Sequence, residues 1–375
     1  MNMKKTAFII TFLIALLPAS LRVRAYGEYG APSETEGEEY EKIYELLPEE
    51  DRRYFVSENN GTEFTGISEL FGFIAQKSGD AARKYSGRFG VLLSLIILYA
   101  LMRKTKYISE SEELSSALFF LTSLCIALTG AGMLKDVIAS LGSFFDTMNL
   151  IMTSSLPIMT SLYLYGGNYS LAAVSSSGTL FLLSGINGTV TYLLFPVMKC
   201  LAALCSVSPV GNGSLASLAR ILKNAFTTLI VTVMTLSSAV LAYQSVIAKH
   251  TDDLSARALR FAGGFVPVIG SAIGESIRGV MASLSLIKSK TGVAGIVVIL
   301  AFTLPVILSL LINKLLLKVC VFASSSLGAE PIGNMLSGAE GILDLALASA
   351  VAVSISFIFE LTVFINVTPP LGGRL

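Results

Sequence analysis

Six ionisable side chains lie in or beside apolar stretches of this chain: Asp146, Lys199, Lys314, Lys318, Asp344 and Glu360. A charge in hydrocarbon costs at least a few kcal/mol, so a group retained there is a candidate coupling or substrate site. Lys314 and Lys318 read as helix-end lysines whose heads snorkel to the lipid headgroups. Asp344 reads as a carboxylate at a helix start, where it favours the dipole, and Asp146 likewise lies near an end. Lys199 and Glu360 escape those explanations, although no spacing rule brings them together. Glu275 and Arg278 form a further charged pair at the i,i+3 separation at which helical side chains meet.

Other chemistry is sparse. His250 is the sole histidine, which removes most zinc and histidine-based catalytic schemes. Cys125, Cys200, Cys205 and Cys320 stand in apolar stretches without a CxxC pair and read as buried free thiols. No GxxxxGK[ST] phosphate loop is present. Gly178-Thr179 and Ser184 do not build a GxSxG elbow. The glycine-rich stretches 211–214 and 328–341 read as loops. The reading is therefore non-enzymatic, with no catalytic residue, no cofactor and no metal ligand. A net charge of +1 supplies no field that would draw nucleic acid.

The elements that must position these groups are membrane helices. The 375 residues are 53% hydrophobic and 14% charged, against about 25% charge in a soluble domain. Residues 114–134, 226–246 and 293–312 are nearly charge-free blocks of the length, about 20 residues, that a helix needs to cross hydrocarbon. Residues 89–102, 148–165 and 342–367 add further passages, and 171–210 has room for two. The expected architecture is all-α, a polytopic helical membrane protein with about seven or eight passages. Within 171–210, Gly185, Asn187 and Gly188 read as an interruption, with Pro196 further along. Such breaks are tolerated at membrane depth only inside protein or beside a watery cavity.

Residues 254–290 differ from a span. Ile269, Ile273, Ile277, Val280, Leu284 and Ile287 form one helical stripe, with Glu275 and Arg278 off it. This predicts an amphipathic helix, at the interface or packed inside the bundle. Gly270 and Gly274 give a GxxxG spacing that permits close helix contact.

Residues 1–25 read as a signal peptide, with Lys4 and Lys5, an apolar run, and Val23-Arg24-Ala25 as a small-x-small site. Arg22 and Arg24 near the cut would equally suit an uncleaved anchor. Residues 26–88 read as an exported, partly acidic helical extension, too short for a large core of its own. The membrane domain then covers 89–375. Arg103, Lys104 and Lys106 put the loop after 89–102 in the cytoplasm, which leaves 26–88 outside it.

From residue 47 to the C-terminus the chain resembles the stage III sporulation protein AE family of endospore-forming Firmicutes. The resemblance is most specific in 258–295: Arg260-Phe261-Ala262-Gly263-Gly264-Phe265-Val266-Pro267-Val268-Ile269-Gly270, the amphipathic helix, then the run beginning Lys288-Ser289-Lys290. Gly264 and Pro267 are site candidates on that basis. Pro305 and Glu330-Pro331-Ile332 also look familial. The resemblance implies a multi-pass protein of the mother-cell membrane around the forespore. Its implied partners are other proteins of the stage III sporulation complex: an ATPase resembling secretion motors, ring-forming proteins and small membrane subunits. A forespore membrane protein would meet them across the intermembrane space. Together they would form a secretion-like channel needed for late forespore development. The alternative is a stand-alone secondary transporter of a small solute, with discontinuous helices around a midplane site.

Overall fold

Phe73, Ala81, Tyr85, Leu92, Ile96 and Ala100 share one face of a helix, and that stripe holds α1 (Ile67–Thr105) against the rest of the protein. The computed structural model describes residues 67–105, 112–165, 169–207, 221, 224–226, 228 and 270–366. Among these residues every element is helical. After α1 come α2 (Glu112–Tyr165), α3 (Tyr169–Thr189), a π-helical turn (Val190–Leu194), α4 (Phe195–Val207), α5 (Gly270–Ser326) and α6 (Glu330–Asn366). The signal peptide and most of the exported extension lie outside the described residues. The boundary expected at residue 88 falls within α1, which runs unbroken through it.

Five helical runs among the described residues are long and apolar enough to cross a bilayer: Gly72–Met102, Ser116–Leu164, Ala172–Val207, Gly295–Ser326 and Glu330–Thr362. The chain is thus an all-helical membrane protein in its described part. Segmentation differs from expectation. The blocks 114–134 and 148–165 are two halves of the single helix α2. The polar residues between them lower hydropathy but include no Gly-Pro stop, and Pro157 is absorbed inside the helix. Likewise the amphipathic stretch and the block 293–312 are joined in α5, with Pro305 inside it. The block 226–246 lies almost wholly outside the described residues.

At 54 residues, α2 is about 81 Å long, well beyond a hydrocarbon core of about 30 Å. Its outward face changes character along that length. Leu118, Phe120, Leu121, Leu124 and Leu128 are exposed near its start. Lys135, Ala139, Ser143 and Asp146 are exposed in the middle, and Leu150 and Leu164 later. α1 runs antiparallel beside its first half. Tyr99 and Phe119 meet edge to face at 5.5 Å between centroids, and Thr122 reaches Met102 Sδ at 3.5 Å. At the level where the outward face turns polar, Arg88 of α1 pairs with Asp136 of α2.

α5 and α6 form the central hairpin. Gly328, at φ 76°, takes the left-handed conformation that a glycine adopts without Cβ strain. The N–H of Gly328 bonds Ser325 O at 3.1 Å and that of Ala329 bonds Ser324 O at 2.7 Å, a Schellman cap that satisfies the last carbonyls of α5. Pro331 then falls in the first turn of α6, where its missing N–H costs nothing. The stretch 328–341, expected as a loop, is therefore one turn followed by helix. Gly328 is the one positive-φ glycine among the described residues, and Gly333, Gly338 and Gly341 lie within α6.

Candidate functional site

The α5–α6 hairpin aligns its polar residues in antiparallel register. Lys318 Nζ lies 3.9 Å from Glu340 Oε1, and one turn further in Lys314 pairs with Asp344. Thr303 Oγ1 and Ser354 Oγ are 2.8 Å apart deeper in the same interface. Two lysines four apart thus face two carboxylates four apart. For Lys314 and Asp344 the end-of-helix reading does not hold. Asp344 sits well inside α6, and Lys314 is 9% exposed and paired with Asp344 within the bundle, while Lys318 is 56% exposed. The signal was present as an i,i+4 lysine pair before a glycine turn and an i,i+4 acid pair after it. Beside Lys314, Asn313 is 1% exposed, and neither its Nδ2 nor its Oδ1 has a hydrogen-bond partner.

Glu360 occupies the other end of α6 and is 2% exposed. Its Oε1 and Thr179 Oγ1 of α3 are hydrogen-bonded, while Oε2 is buried without a partner. Thr179 Oγ1 also lies 2.9 Å from the Ser175 carbonyl. Tyr163 of α2 bonds the Ser175 side chain and lies within electrostatic range of the carboxyl. Its ring packs edge to face on Phe364 at 5.4 Å. Three helices therefore converge on one carboxyl. Lys199 is not among them. It is exposed on α4, about 30 Å beyond Thr179 along the continuous α3–α4 run, so the two residues that escaped end-of-helix explanations do not meet.

Gly185, Asn187 and Gly188 lie inside α3, not at a break. The irregularity comes a turn later, where the N–H of Phe195 bonds Val190 O in the π turn. Pro196 explains its place. Its ring crowds the carbonyl one turn back and it has no N–H to give, and a widened turn relieves both. Asn187 and Asn149 contribute polar atoms to a small crevice lined also by Phe145, Ile186, Val190 and Phe357. A Cβ at Gly185 or Gly188 would meet nothing within 4 Å. Gly185→Ala and Gly188→Ala should each stabilise α3 by up to about 1 kcal/mol. Thermal unfolding in detergent checks this, and a loss at either position would mean that the glycine itself is required.

Gly270, Gly274, Glu275 and Arg278 fall in the first turns of α5. Gly264 and Pro267 lie outside the described residues, as does 211–214. Asp146 is exposed on α2. The four thiols are free, but Cys125 and Cys200 are exposed and only Cys205 and Cys320 are buried. An apolar environment for the first two is what an outward-facing position in a membrane helix provides.

A family model described as stage III sporulation protein AE matches residues 53–368. No curated protein and no solved structure matches the chain.

Proposed function

The chain belongs to the stage III sporulation protein AE family, and from that premise we propose that it is an integral membrane subunit of a secretion-like channel between mother cell and forespore. In this reading it sits in the mother-cell membrane around the forespore and does no chemistry of its own. An ATPase resembling secretion motors drives the assembly, ring-forming and small membrane subunits complete it, and a forespore membrane protein meets it across the intermembrane space. The part of residues 26–88 that precedes the Gly72–Met102 run would lie on the outer side of that membrane.

The observation that carries the reading, beyond family membership, is how the charges in the hairpin are used. Lys314, Lys318, Glu340 and Asp344 are engaged with one another across α5 and α6. Such pairing suits a rigid structural element better than a solute path, which keeps polar groups available. The polar outward face in the middle of α2 and the Arg88–Asp136 pair beside it suit contact with other subunits or water.

The test is purification of tagged protein from sporulating cells, with identification of what accompanies it. Co-purification of the ATPase and ring-forming subunits is the expected result, together with loss of late forespore gene expression when the chain is absent. The transporter reading draws on the Asn149–Asn187 crevice. It would prevail if the protein purified alone and moved a solute across vesicle membranes without partners.

A further inference from the structure

The hydroxyl of Thr179 has one proton and two oxygens within reach. One is the Ser175 carbonyl at 2.9 Å and the other is Glu360 Oε1. A carbonyl and a carboxylate can only accept. If Glu360 were ionised, Thr179 could satisfy one of them and the other contact would be an oxygen–oxygen approach without a proton. If Glu360 carries a proton, it donates to Thr179 Oγ1 while Thr179 donates to Ser175, and both contacts are hydrogen bonds. The surroundings favour the same state. Glu360 is 2% exposed and its Oε2 has no partner. The ion pairs among the described residues engage other carboxylates. α2 presents Tyr163, a neutral phenol, and α3 presents Ser175 and Thr179. α5 approaches this end of α6 with Gly295, against Leu361. An isolated carboxylate in such a place forgoes hydration with nothing to replace it, whereas a carboxylic acid there costs far less.

We propose that Glu360 is a proton-binding site: its carboxyl is protonated in the resting bundle and donates through Oε1 to Thr179 Oγ1. Release of the proton leaves a carboxylate that accepts the hydrogen bond of the Thr179 hydroxyl. The hydroxyl then turns away from the Ser175 carbonyl. Proton binding at α6 is thereby coupled to the hydrogen bonding of α3 about one turn apart, in a place where three helices meet. The site concerns a ligand of this chain and does not depend on which proteins accompany it.

The experiment is infrared spectroscopy of the full-length protein in lipid vesicles, as a difference between the wild type and Glu360→Gln. The amide is the same shape as the neutral acid, so the variant should accumulate normally. The expected result is a protonated carboxylic C=O band in the wild type at neutral pH, absent from Glu360→Gln. Raising the pH should replace that band with carboxylate bands, reversibly. Thr179→Val should shift the band to the position of a carbonyl whose O–H lacks an acceptor. That shift identifies Glu360 even if Glu360→Gln fails to accumulate. No such band at neutral pH would overturn the proposal. A band that persists through alkaline titration of intact vesicles would also overturn it, since the acid would be fixed. An unshifted band in Thr179→Val would overturn the donor assignment.

Discussion

Lys314→Ala is expected to destabilise the membrane domain by about 3–5 kcal/mol, because it strands the Asp344 carboxylate inside the α5–α6 hairpin. The side chains of the pair are only 11% and 14% exposed, so little solvent is at hand to replace the missing partner. Asp344→Ala should cost a similar amount by stranding the ammonium. The sharper test is the double replacement Lys314→Met with Asp344→Leu. It removes both charges and keeps apolar bulk, so it should return most of the stability, as buried pairs often tolerate apolar substitution. Unfolding by graded SDS in mixed micelles reads the difference, and membrane abundance should follow it. If both single variants unfold like the wild type, the pair does not hold the hairpin together.

Gly338→Val is expected to lower stability by about 1–3 kcal/mol through overpacking where α4 crosses α6. A Cβ at Gly338 would lie 2.6 Å from Cys205 Sγ, inside any tolerable contact. The sulfur of a cysteine can withdraw only by changing χ1, and Cys205 is buried. Gly295 differs, because its new Cβ would meet Leu361 Cδ1 at 2.8 Å, the movable tip of a long side chain. Gly295→Ala should therefore cost less than Gly338→Ala. Cys205→Ala removes the offending sulfur, so it should rescue part of the Gly338→Ala loss. The double variant should be more stable than the sum of the single effects predicts. Thermal unfolding of the four proteins completes that cycle, and strict additivity would show that the two residues do not touch.

Much of the membrane domain was legible because apolar length is written directly in composition. The segments 89–102 and 293–312 each lie within a helix of the structure, and 342–366 lies within α6. What hydropathy could not supply was continuity. Lys135, Asp136 and Asp146 interrupt apolarity without interrupting helix, so one helix looked like two spans. At 185–188 the glycines looked like a break, but helical glycines with open space beside them need no special conformation. The proline ten residues on set the π turn instead. Close approach is legible only in part. The GxxxG spacing drew notice to Gly270 and Gly274, whereas the tight contact at Gly338 has no motif, since it depends on which helix arrives from elsewhere in the chain. Glu360 was recognisable as a charge in an apolar run, but its partner Thr179 lies far away in sequence.

The unbroken length of α2 has a mechanical consequence. A helix braced on both sides behaves as a stiff beam, and a beam does not localise displacement. Tilting one of about 81 Å by about 5° around its Glu112 end moves the Tyr165 end by about 7 Å. That end carries Tyr163, which bonds the Ser175 side chain and packs on Phe364 of α6. A small tilt of α2 about its Glu112 end would therefore displace the side chains near Tyr165 far more than those near Glu112.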